Sequence, residues 1–172
     1  MKSSVGHKIK NKDKPNDVFY TPLNLVKKHL EIIKPFVKDK DIILDPFYGD
    51  GAYHNLFKDY FKDNTFDFTE IELKKDFFKY DKNVDIIVSN PPYSCINEVL
   101  EHSIKLKPRI ISYLIGINNL TAKRIEYMNN NGYKMVNVHM VKVFKWYGMS
   151  LIVTFSKDGE NCINYDRIIY KS

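Results

Sequence analysis

Residues 41–51 read Asp-Ile-Ile-Leu-Asp-Pro-Phe-Tyr-Gly-Asp-Gly, a short apolar run that ends at a carboxylate and continues into a loop with two glycines. Asp45 and Pro46 halt the run, as residues that bound a buried strand commonly do. A helical pattern through Phe61 follows, so the order is strand, glycine loop and helix. Units of this kind build parallel sheets, because a helical crossover returns the chain to start a parallel neighbour. The stretch therefore predicts an α/β fold.

An apolar run followed by a helical pattern recurs twice farther along the chain. A second apolar run, 84–88, stops before the prolines of residues 91–92 and precedes a helical pattern from about Cys95 to Leu106. A third run, from Arg109 to Ile115, precedes a helical pattern from Thr121 to Asn130. Strands that alternate with helices predict a mostly parallel sheet with helices on both faces.

The two ends of the folded region depart from this alternation. Apolar residues at helical spacing from Pro22 to Val37 predict an amphipathic helix ahead of the first strand. Toward the C-terminus, residues 134–144 and 150–155 form two β-rich runs joined by residues 145–149. We expect these runs to form an antiparallel pair that closes the sheet.

Residues 1–16 are polar, aperiodic and interrupted by Pro15, so we expect a flexible basic N-terminal arm. Residues 17–172 then form a single domain, as the length of the chain suggests. The net charge of +6 favours polyanionic partners, because basic side chains release the counterions of nucleic-acid phosphates. The candidate nucleic-acid contacts in the arm are Lys8, Lys10, Lys12 and Lys14.

The composition excludes several classes of protein. The hydrophobic share of 44% and the charged share of 28% are ordinary for a globular chain and argue against disorder. No apolar run approaches the roughly 18 residues of a membrane helix, and no signal peptide is evident. Two distant cysteines and five unclustered histidines suggest neither a disulfide framework nor a metal site. We therefore expect an intracellular protein without a metal.

The loop at residues 45–51 has the features of a ligand-binding loop. Its glycines allow a tight turn and a close approach of the backbone to a ligand, and ligands of open α/β sheets bind beyond the carboxyl ends of the strands. Asp45 and Phe47 suit a ligand with an amine or hydroxyl end and a flat ring. The loop lacks a Walker or GxGxxG pattern, so phosphate binding is not indicated. A plain turn between strand and helix is the alternative interpretation.

A second distinctive segment is Asn90-Pro91-Pro92-Tyr93. The two prolines lack backbone N–H groups, so their main chain can only accept hydrogen bonds. Asn90 adds a side-chain acceptor, and Tyr93 adds an aromatic face on which a planar base could stack. Two acceptors beside a stacking ring fit an exocyclic amino group, whose orientation would promote a two-substrate transfer. A proline turn with a buried tyrosine is the structural alternative.

Four motifs of the chain resemble, in order, those of S-adenosylmethionine-dependent N6-adenine DNA methyltransferases: DVFYTP at 17–22, DPFYGDG at 45–51, DFF at 76–78 and SNPPY at 89–93. The resemblance spans about residues 17–156. It implies a Rossmann-like class I methyltransferase fold, S-adenosylmethionine as cofactor, S-adenosylhomocysteine as product and DNA as partner. It also implies direct in-line transfer, without a covalent enzyme intermediate, to an adenine flipped into the NPPY pocket.

The resemblance assigns roles to particular residues. The cofactor-binding residues that it implies are Phe19, Tyr20, Thr21, Asp45, Pro46, Phe47, Gly49, Gly51, Glu70, Asp76, Phe77 and Asn90. The catalytic residues that it implies are Asn90, Pro91, Pro92 and Tyr93. The acidic residue on the cofactor ribose is assigned to Glu70, with Glu72 as the rival, because the local pattern does not fix the end of the strand.

No separate target-recognition domain fits between Gly51 and Asn90 or after Tyr93. The chain is therefore expected to read a loose or very short target, or to act as a homodimer or with a specificity partner. The linker between the last two predicted strands is a candidate substrate contact, because an aromatic pair beside a lysine can wedge between bases and neutralise phosphate. Its residues are Lys145, Trp146 and Tyr147. A tryptophan packed beneath the sheet rim is the alternative.

Two other functions stay open. An RNA adenine or a protein glutamine could be the methyl acceptor, since both enzyme classes use an NPPY motif. A non-catalytic, nucleic-acid-binding regulatory subunit could also carry the same fold.

Overall fold

The computed structural model describes residues 20–143 and 148–165, which form a six-stranded sheet with helices packed against it. The strands are β1 (Ile42–Asp45), β2 (Thr65–Phe68), β3 (Ile86–Ser89), β4 (Ile110–Gly116), β5 (Lys134–Val141) and β6 (Ser150–Ser156). The α-helices are α1 (Leu23–Ile33), α2 (His54–Tyr60), α3 (Ile96–Lys105) and α4 (Ala122–Asn130).

The sheet is mostly parallel and ends in an antiparallel pair, which confirms the predicted architecture. The strand order is β2-β1-β3-β4-β6-β5. β1 pairs in parallel with both β2 and β3, and β3 pairs in parallel with β4. β6 runs antiparallel to both β4 and β5. The chain leaves β1 toward β2 on one side and later returns to β3 on the other, so the strand order reverses at β1 and β3.

Helices cover both faces of the sheet, as the sequence predicts. Ile43 and Ile86 pack with apolar side chains of α1 and α2 in one core cluster. Leu44 and Ile87, their neighbours along the strands, pack with α3 and α4 in a second cluster on the opposite face. Because both faces are covered, these strands appear in the sequence as continuous apolar runs rather than as alternating patterns.

Two elements differ from the sequence prediction. The sequence does not give the bounds of β2, because it is a four-residue edge strand in which Phe66 and Phe68 alternate with polar residues and are only partly buried. α1 ends at Ile33 rather than continuing to Val37, and a short 3-10 turn follows at Lys34–Phe36. Pro35 lies in that turn, where it cannot donate the next helical hydrogen bond and restricts the residue before it. The other boundaries agree with the prediction within three residues.

No α-helix among the described residues is long and apolar enough to span a membrane. Within residues 20–143 and 148–165, no group of His, Cys, Asp or Glu is arranged to hold a metal ion.

Candidate active site

The two predicted loops meet where the strand order reverses. β1 and β3 are parallel neighbours, so the residues that follow Asp45 and Ser89 emerge at the same edge of the sheet. The Ser89 hydroxyl donates a 2.6 Å hydrogen bond to Oδ1 of Asp45, and both residues are completely buried. In open α/β sheets this crevice is where ligands bind. The contact therefore joins the glycine loop to the NPPY segment.

The carboxyl group of Asp45 is completely buried at the end of β1, where carboxyl groups are uncommon without a charged partner. Its Oδ1 also accepts a hydrogen bond from the Phe47 N–H at 3.3 Å. Burial raises the pKa of Asp45 from 3.8 to about 7, against the opposing effect of the Ser89 hydrogen bond. Among the described residues, Oδ2 has no hydrogen-bond partner. A carboxyl group in this state suits a ligand that brings a positive charge or a hydroxyl donor.

The glycine loop needs glycine at two positions. Gly49 and Gly51 have φ angles of 55° and 83°, in the left-handed region that side chains rarely adopt. A β-carbon on Gly51 would lie 2.6 Å from the Tyr48 hydroxyl and 2.8 Å from the Asn55 amide nitrogen. Gly49 is exposed, and the ring of Tyr20 lies 3.8 Å from where its β-carbon would be. Side chains therefore pack tightly around Gly51, whereas Gly49 is accessible to a ligand.

Glu70, rather than Glu72, lies at the glycine loop. Its Oε2 accepts a 2.7 Å hydrogen bond from the Gly49 N–H, while Oε1 accepts a longer one, 3.4 Å, from the Glu72 N–H. Glu70 follows the end of β2 by two residues and is half-buried, whereas Glu72 is exposed. The structure thus places the Glu70 carboxylate beside the loop that the sequence assigned to the cofactor.

The two predicted residues Asp76 and Phe77 have different structural roles: Asp76 caps a short turn, and Phe77 packs in the core. Asp76 Oδ1 accepts a 3.0 Å hydrogen bond from the Phe78 N–H and caps a short 3-10 turn. Phe77 is 4% exposed and packs edge-on against Phe47 and His102, with ring centroids 5.2 and 4.8 Å away. Phe78 is 44% exposed and is the accessible ring of this segment, although the motif resemblance assigns the cofactor contact to Phe77.

The segment ahead of α1 touches both loops. Thr21 is buried, and its Oγ1 accepts a 3.1 Å hydrogen bond from Nδ2 of Asn90. Its neighbour Tyr20 is 62% exposed, with its ring over Gly49. The structure therefore brings Tyr20 of the predicted FYTP element to the glycine loop and Thr21 to the NPPY segment.

The NPPY segment carries Tyr93 to the end of a neighbouring strand. Pro91 is buried, and Pro92 is extended with φ −65° and ψ 126° before a 3-10 turn at Tyr93–Cys95. A β-carbon on Gly116, the last residue of β4, would lie 3.4 Å from Cε2 of Tyr93. The half-buried ring thus lies against a strand end that lacks a side chain.

Several predicted residues lie outside the described part of the chain. These are Phe19, Lys8, Lys10, Lys12, Lys14, Lys145, Trp146 and Tyr147.

The sequence motifs do not identify Ser89 or Gly116 as site residues. Ser89 is a polar residue that closes an otherwise apolar strand, and Gly116 directly follows the apolar run of β4. A small or polar residue at the carboxyl end of a predicted parallel strand is the signal that could have identified both.

Comparisons with solved structures identify the fold. No protein-family model matches the chain, and no curated protein sequence matches it. Precorrin-6y C5,15-methyltransferase from Geobacter metallireducens aligns over 83% of this chain and 92% of its own, with 16% identity and a TM-score of 0.60. The E. cuniculi Mtq2–Trm112 complex, responsible for methylation of the eRF1 translation termination factor, aligns over 82% of this chain and 99% of the matched chain, with 15% identity and a TM-score of 0.59.

A third solved structure contains the cofactor. M. jannaschii TYW2 in complex with AdoMet, which is S-adenosylmethionine, aligns over 81% of this chain and 77% of its own, with 14% identity and a TM-score of 0.51. These likenesses, together with the strand order, show that the chain has the Rossmann-like fold of class I S-adenosylmethionine-dependent methyltransferases.

Proposed function

We propose that this chain binds S-adenosylmethionine at the glycine loop and transfers its methyl group to the N6 amino group of adenine in DNA. The observation that carries the proposal is the pair of hydrogen bonds that join the two loops. Ser89 bonds to Asp45, and the next residue, Asn90, bonds to Thr21. A cofactor held by the glycine loop and an amino group held by the NPPY segment would then be neighbours.

The residues of the glycine loop fit the cofactor chemically. The carboxyl group of Asp45, with an oxygen that lacks a partner among the described residues, suits the cationic methionine end. Glu70 is a hydrogen-bond acceptor beside Gly49 and suits the ribose hydroxyls. Asp76 and the exposed ring of Phe78 suit the adenine end. When bound, S-adenosylmethionine would supply a methyl group on a positively charged sulfur. The S–CH3 bond would break as the N–CH3 bond forms, neutral S-adenosylhomocysteine would leave, and the nitrogen would release one proton to water.

The NPPY residues orient the acceptor. The carbonyl groups around Pro91 and the side chain of Asn90 accept hydrogen bonds from an amino group, and Tyr93 stacks against the ring that carries it. Accepting both amino hydrogens turns the nitrogen lone pair away from these acceptors, toward the glycine loop. Such orientation can supply a large share of the rate of a two-substrate transfer.

The choice of DNA adenine rests on the motif resemblance and on charge. The FYTP element precedes α1 as in the N6-adenine DNA enzymes, and the net charge of +6 favours a polyanion. We propose that the chain acts on a short target, alone, as a homodimer or with a specificity partner. A protein acceptor is the second candidate, because the Mtq2–Trm112 complex methylates a protein.

Transfer of label from methyl-labelled S-adenosylmethionine tests the proposal. The purified full chain is incubated separately with duplex DNA, single-stranded DNA, RNA and total protein, and the products are analysed as nucleosides and amino acids. We expect N6-methyladenine in DNA. The Asn90→Ala variant should retain cofactor binding by calorimetry but lose most transfer, because this side chain is proposed to meet the acceptor.

The alternatives give different results. Label confined to RNA or protein would replace the acceptor and keep the reaction. Cofactor binding with no label in any acceptor would contradict catalysis and favour the non-catalytic subunit.

A further inference from the structure

The turn that follows β4 lies beside Tyr93 and contributes a second side chain to the same place. The turn is a 3-10 segment, Ile117–Asn119, directly after Gly116. A β-carbon on Gly116 would lie 3.4 Å from Cε2 of Tyr93 and also 3.4 Å from Nδ2 of Asn119. The Asn119 amide nitrogen and the Tyr93 ring, which is proposed to stack on the target base, therefore both lie at the end of β4.

Arg124 holds the Asn119 side chain in one orientation. Its Nη1 donates to the Asn119 backbone carbonyl at 2.7 Å and to Oδ1 of the same residue at 3.4 Å. Its Nε donates to Oδ1 of Asn97 in the first turn of α3 at 2.8 Å. A guanidinium group has only donors, so the amide oxygen of Asn119 must face Arg124 and the NH2 group must face the other way.

The Asn119 NH2 group is available for another partner. It donates no hydrogen bond to another residue within the described ranges. Two nitrogens of the Arg124 guanidinium group, Nε and Nη1, form hydrogen bonds. Arg124 therefore connects the turn after β4 to the helix that follows the NPPY segment. The donor is therefore held rigidly beside Tyr93, as a group that recognises a ligand needs to be.

We propose that Asn119, oriented by Arg124, donates a hydrogen bond to a ring nitrogen of the target base next to Tyr93. The inference rests on the proposed function and extends it to base selection. Asn90 and the proline carbonyls accept from the amino group, and Asn119 donates to the neighbouring ring nitrogen. This pattern matches the pairing edge of adenine, and of cytosine, where an amino group adjoins an acceptor nitrogen. Guanine and thymine present a ring N–H at that position and would leave two donors facing each other.

Arg124 is a positioning residue in this arrangement, and Asn119 is the residue that touches the base. A purely structural role for the pair makes a different prediction. In that case, changes at Asn119 would alter stability and activity together, because both would depend on the bond to Arg124.

The Asn119→Asp variant separates the two roles. The carboxylate still accepts from Arg124, with an added charge attraction, so the melting temperature should be unchanged or higher. The NH2 donor is lost, and an acceptor then faces the ring nitrogen, so kcat/KM for DNA should fall at least about tenfold. The affinity for S-adenosylmethionine should be unchanged. Asn97→Asp is the matched control, since it places the same charge beside Arg124 at an exposed residue of α3 and leaves Asn119 unchanged. It should keep kcat/KM within about twofold.

An altered substrate tests the inference without changing the protein. In an oligonucleotide with 1-deazaadenine at the target, the amino group is kept and the acceptor nitrogen is replaced by C–H. The wild-type chain should methylate it about tenfold less efficiently than adenine, and Asn119→Ala should show little further loss on this substrate. Equal methylation of the two bases by the wild-type chain, or an Asn119→Asp variant with wild-type kcat/KM, would overturn the inference and leave the proposed function intact. A wild-type chain that binds the cofactor and methylates no base would overturn both.

Discussion

Oγ1 of Thr21 accepts a hydrogen bond from Nδ2 of Asn90, although 69 residues separate them along the chain. The bond fixes the amide of Asn90, because an NH2 group that faces Thr21 leaves the amide oxygen to face elsewhere. Thr21 itself is buried and adjoins the exposed Tyr20 over the glycine loop. The segment ahead of α1 therefore positions the acceptor side of the site as well as the cofactor side.

Thr21→Val tests this positioning role. Valine keeps the shape and removes the acceptor, so Asn90 loses the bond that sets its orientation. A buried hydrogen bond of this type contributes about 1 kcal/mol, and we expect transfer to fall between about fivefold and tenfold. The measurement is kcat with saturating cofactor. Thr21→Ser keeps the hydroxyl and should stay near wild type, so equal losses in both variants would contradict the role.

Glu70 and Glu72 can be separated by cofactor affinity. The 2.7 Å bond from the Gly49 N–H holds the Glu70 carboxylate at the loop, whereas Glu72 is exposed. Glu70→Gln should weaken S-adenosylmethionine binding at least about tenfold, because a charge-assisted hydrogen bond to a ligand hydroxyl is worth about 1.5–3 kcal/mol. Glu72→Gln should change the dissociation constant less than about twofold. Calorimetric titration of both variants is the measurement, and the reverse order of effects would transfer the ribose contact to Glu72.

The sequence predicts most of the fold and the places of both loops, but it does not predict which side chains meet there. The strands at 42–45 and 86–89 are evident because both of their faces are covered and the following prolines and glycines mark their ends. β2 is short, lies at the edge and buries its side chains only partly, so its sequence has no such signal. The choice between Glu70 and Glu72 depends on where that strand ends.

The residue pattern also does not predict which side chains contact each other in the folded chain. Phe77 and Phe78 are adjacent and identical in type, and only the packing of Phe47 and His102 decides that Phe77 is the buried one. The bond between Asn119 and Arg124 is local, but it depends on the geometry of the turn that follows β4, which no residue pattern in the sequence predicts.

Substitution of the glycines separates backbone strain from steric overlap. Gly51→Ala forces a side chain into φ 83° and into contact with Tyr48 and Asn55. Gly132→Ala meets a similar φ of 84°, but its β-carbon would have no described residue within 4 Å. We expect Gly132→Ala to lower the free energy of unfolding by about 1 kcal/mol. Gly51→Ala should cost about 2–4 kcal/mol and weaken cofactor binding.

Gly148→Ala is the control for these two variants, because Gly148 has no positive φ and a β-carbon there would meet no described residue within 4 Å. Chemical denaturation should find it within about 0.5 kcal/mol of wild type. Similar losses in Gly51→Ala and Gly132→Ala would show that overlap with Tyr48 contributes nothing.

Two buried titratable groups, His29 and Asp45, change the free energy of unfolding in opposite directions as the pH rises. His29 is fully buried and forms 2.8 Å hydrogen bonds with the hydroxyls of Tyr53 and Ser112, and burial lowers its pKa from 6.5 to about 3. The unfolded chain therefore binds the His29 proton first as pH falls, so this residue makes stability rise between about pH 3 and 6.5. Asp45, whose pKa is raised from 3.8 to about 7, binds its proton more tightly in the folded chain and makes stability fall across that interval.

When either group is removed, the pH dependence of the free energy of unfolding should show mainly the contribution of the other. In the overlap between pH 4 and 6.5, each group contributes up to about 1.4 kcal/mol per pH unit, with opposite sign. Asp45→Asn keeps an oxygen for the Ser89 hydroxyl and should make the free energy of unfolding rise more steeply with pH than in the wild type. His29→Gln keeps hydrogen-bonding capacity and should make the same free energy rise less steeply or fall. Denaturant unfolding at half-unit pH steps measures both slopes. Parallel curves for the two variants and the wild type would contradict the assignment, because each pKa shift requires a proton that folding binds or releases.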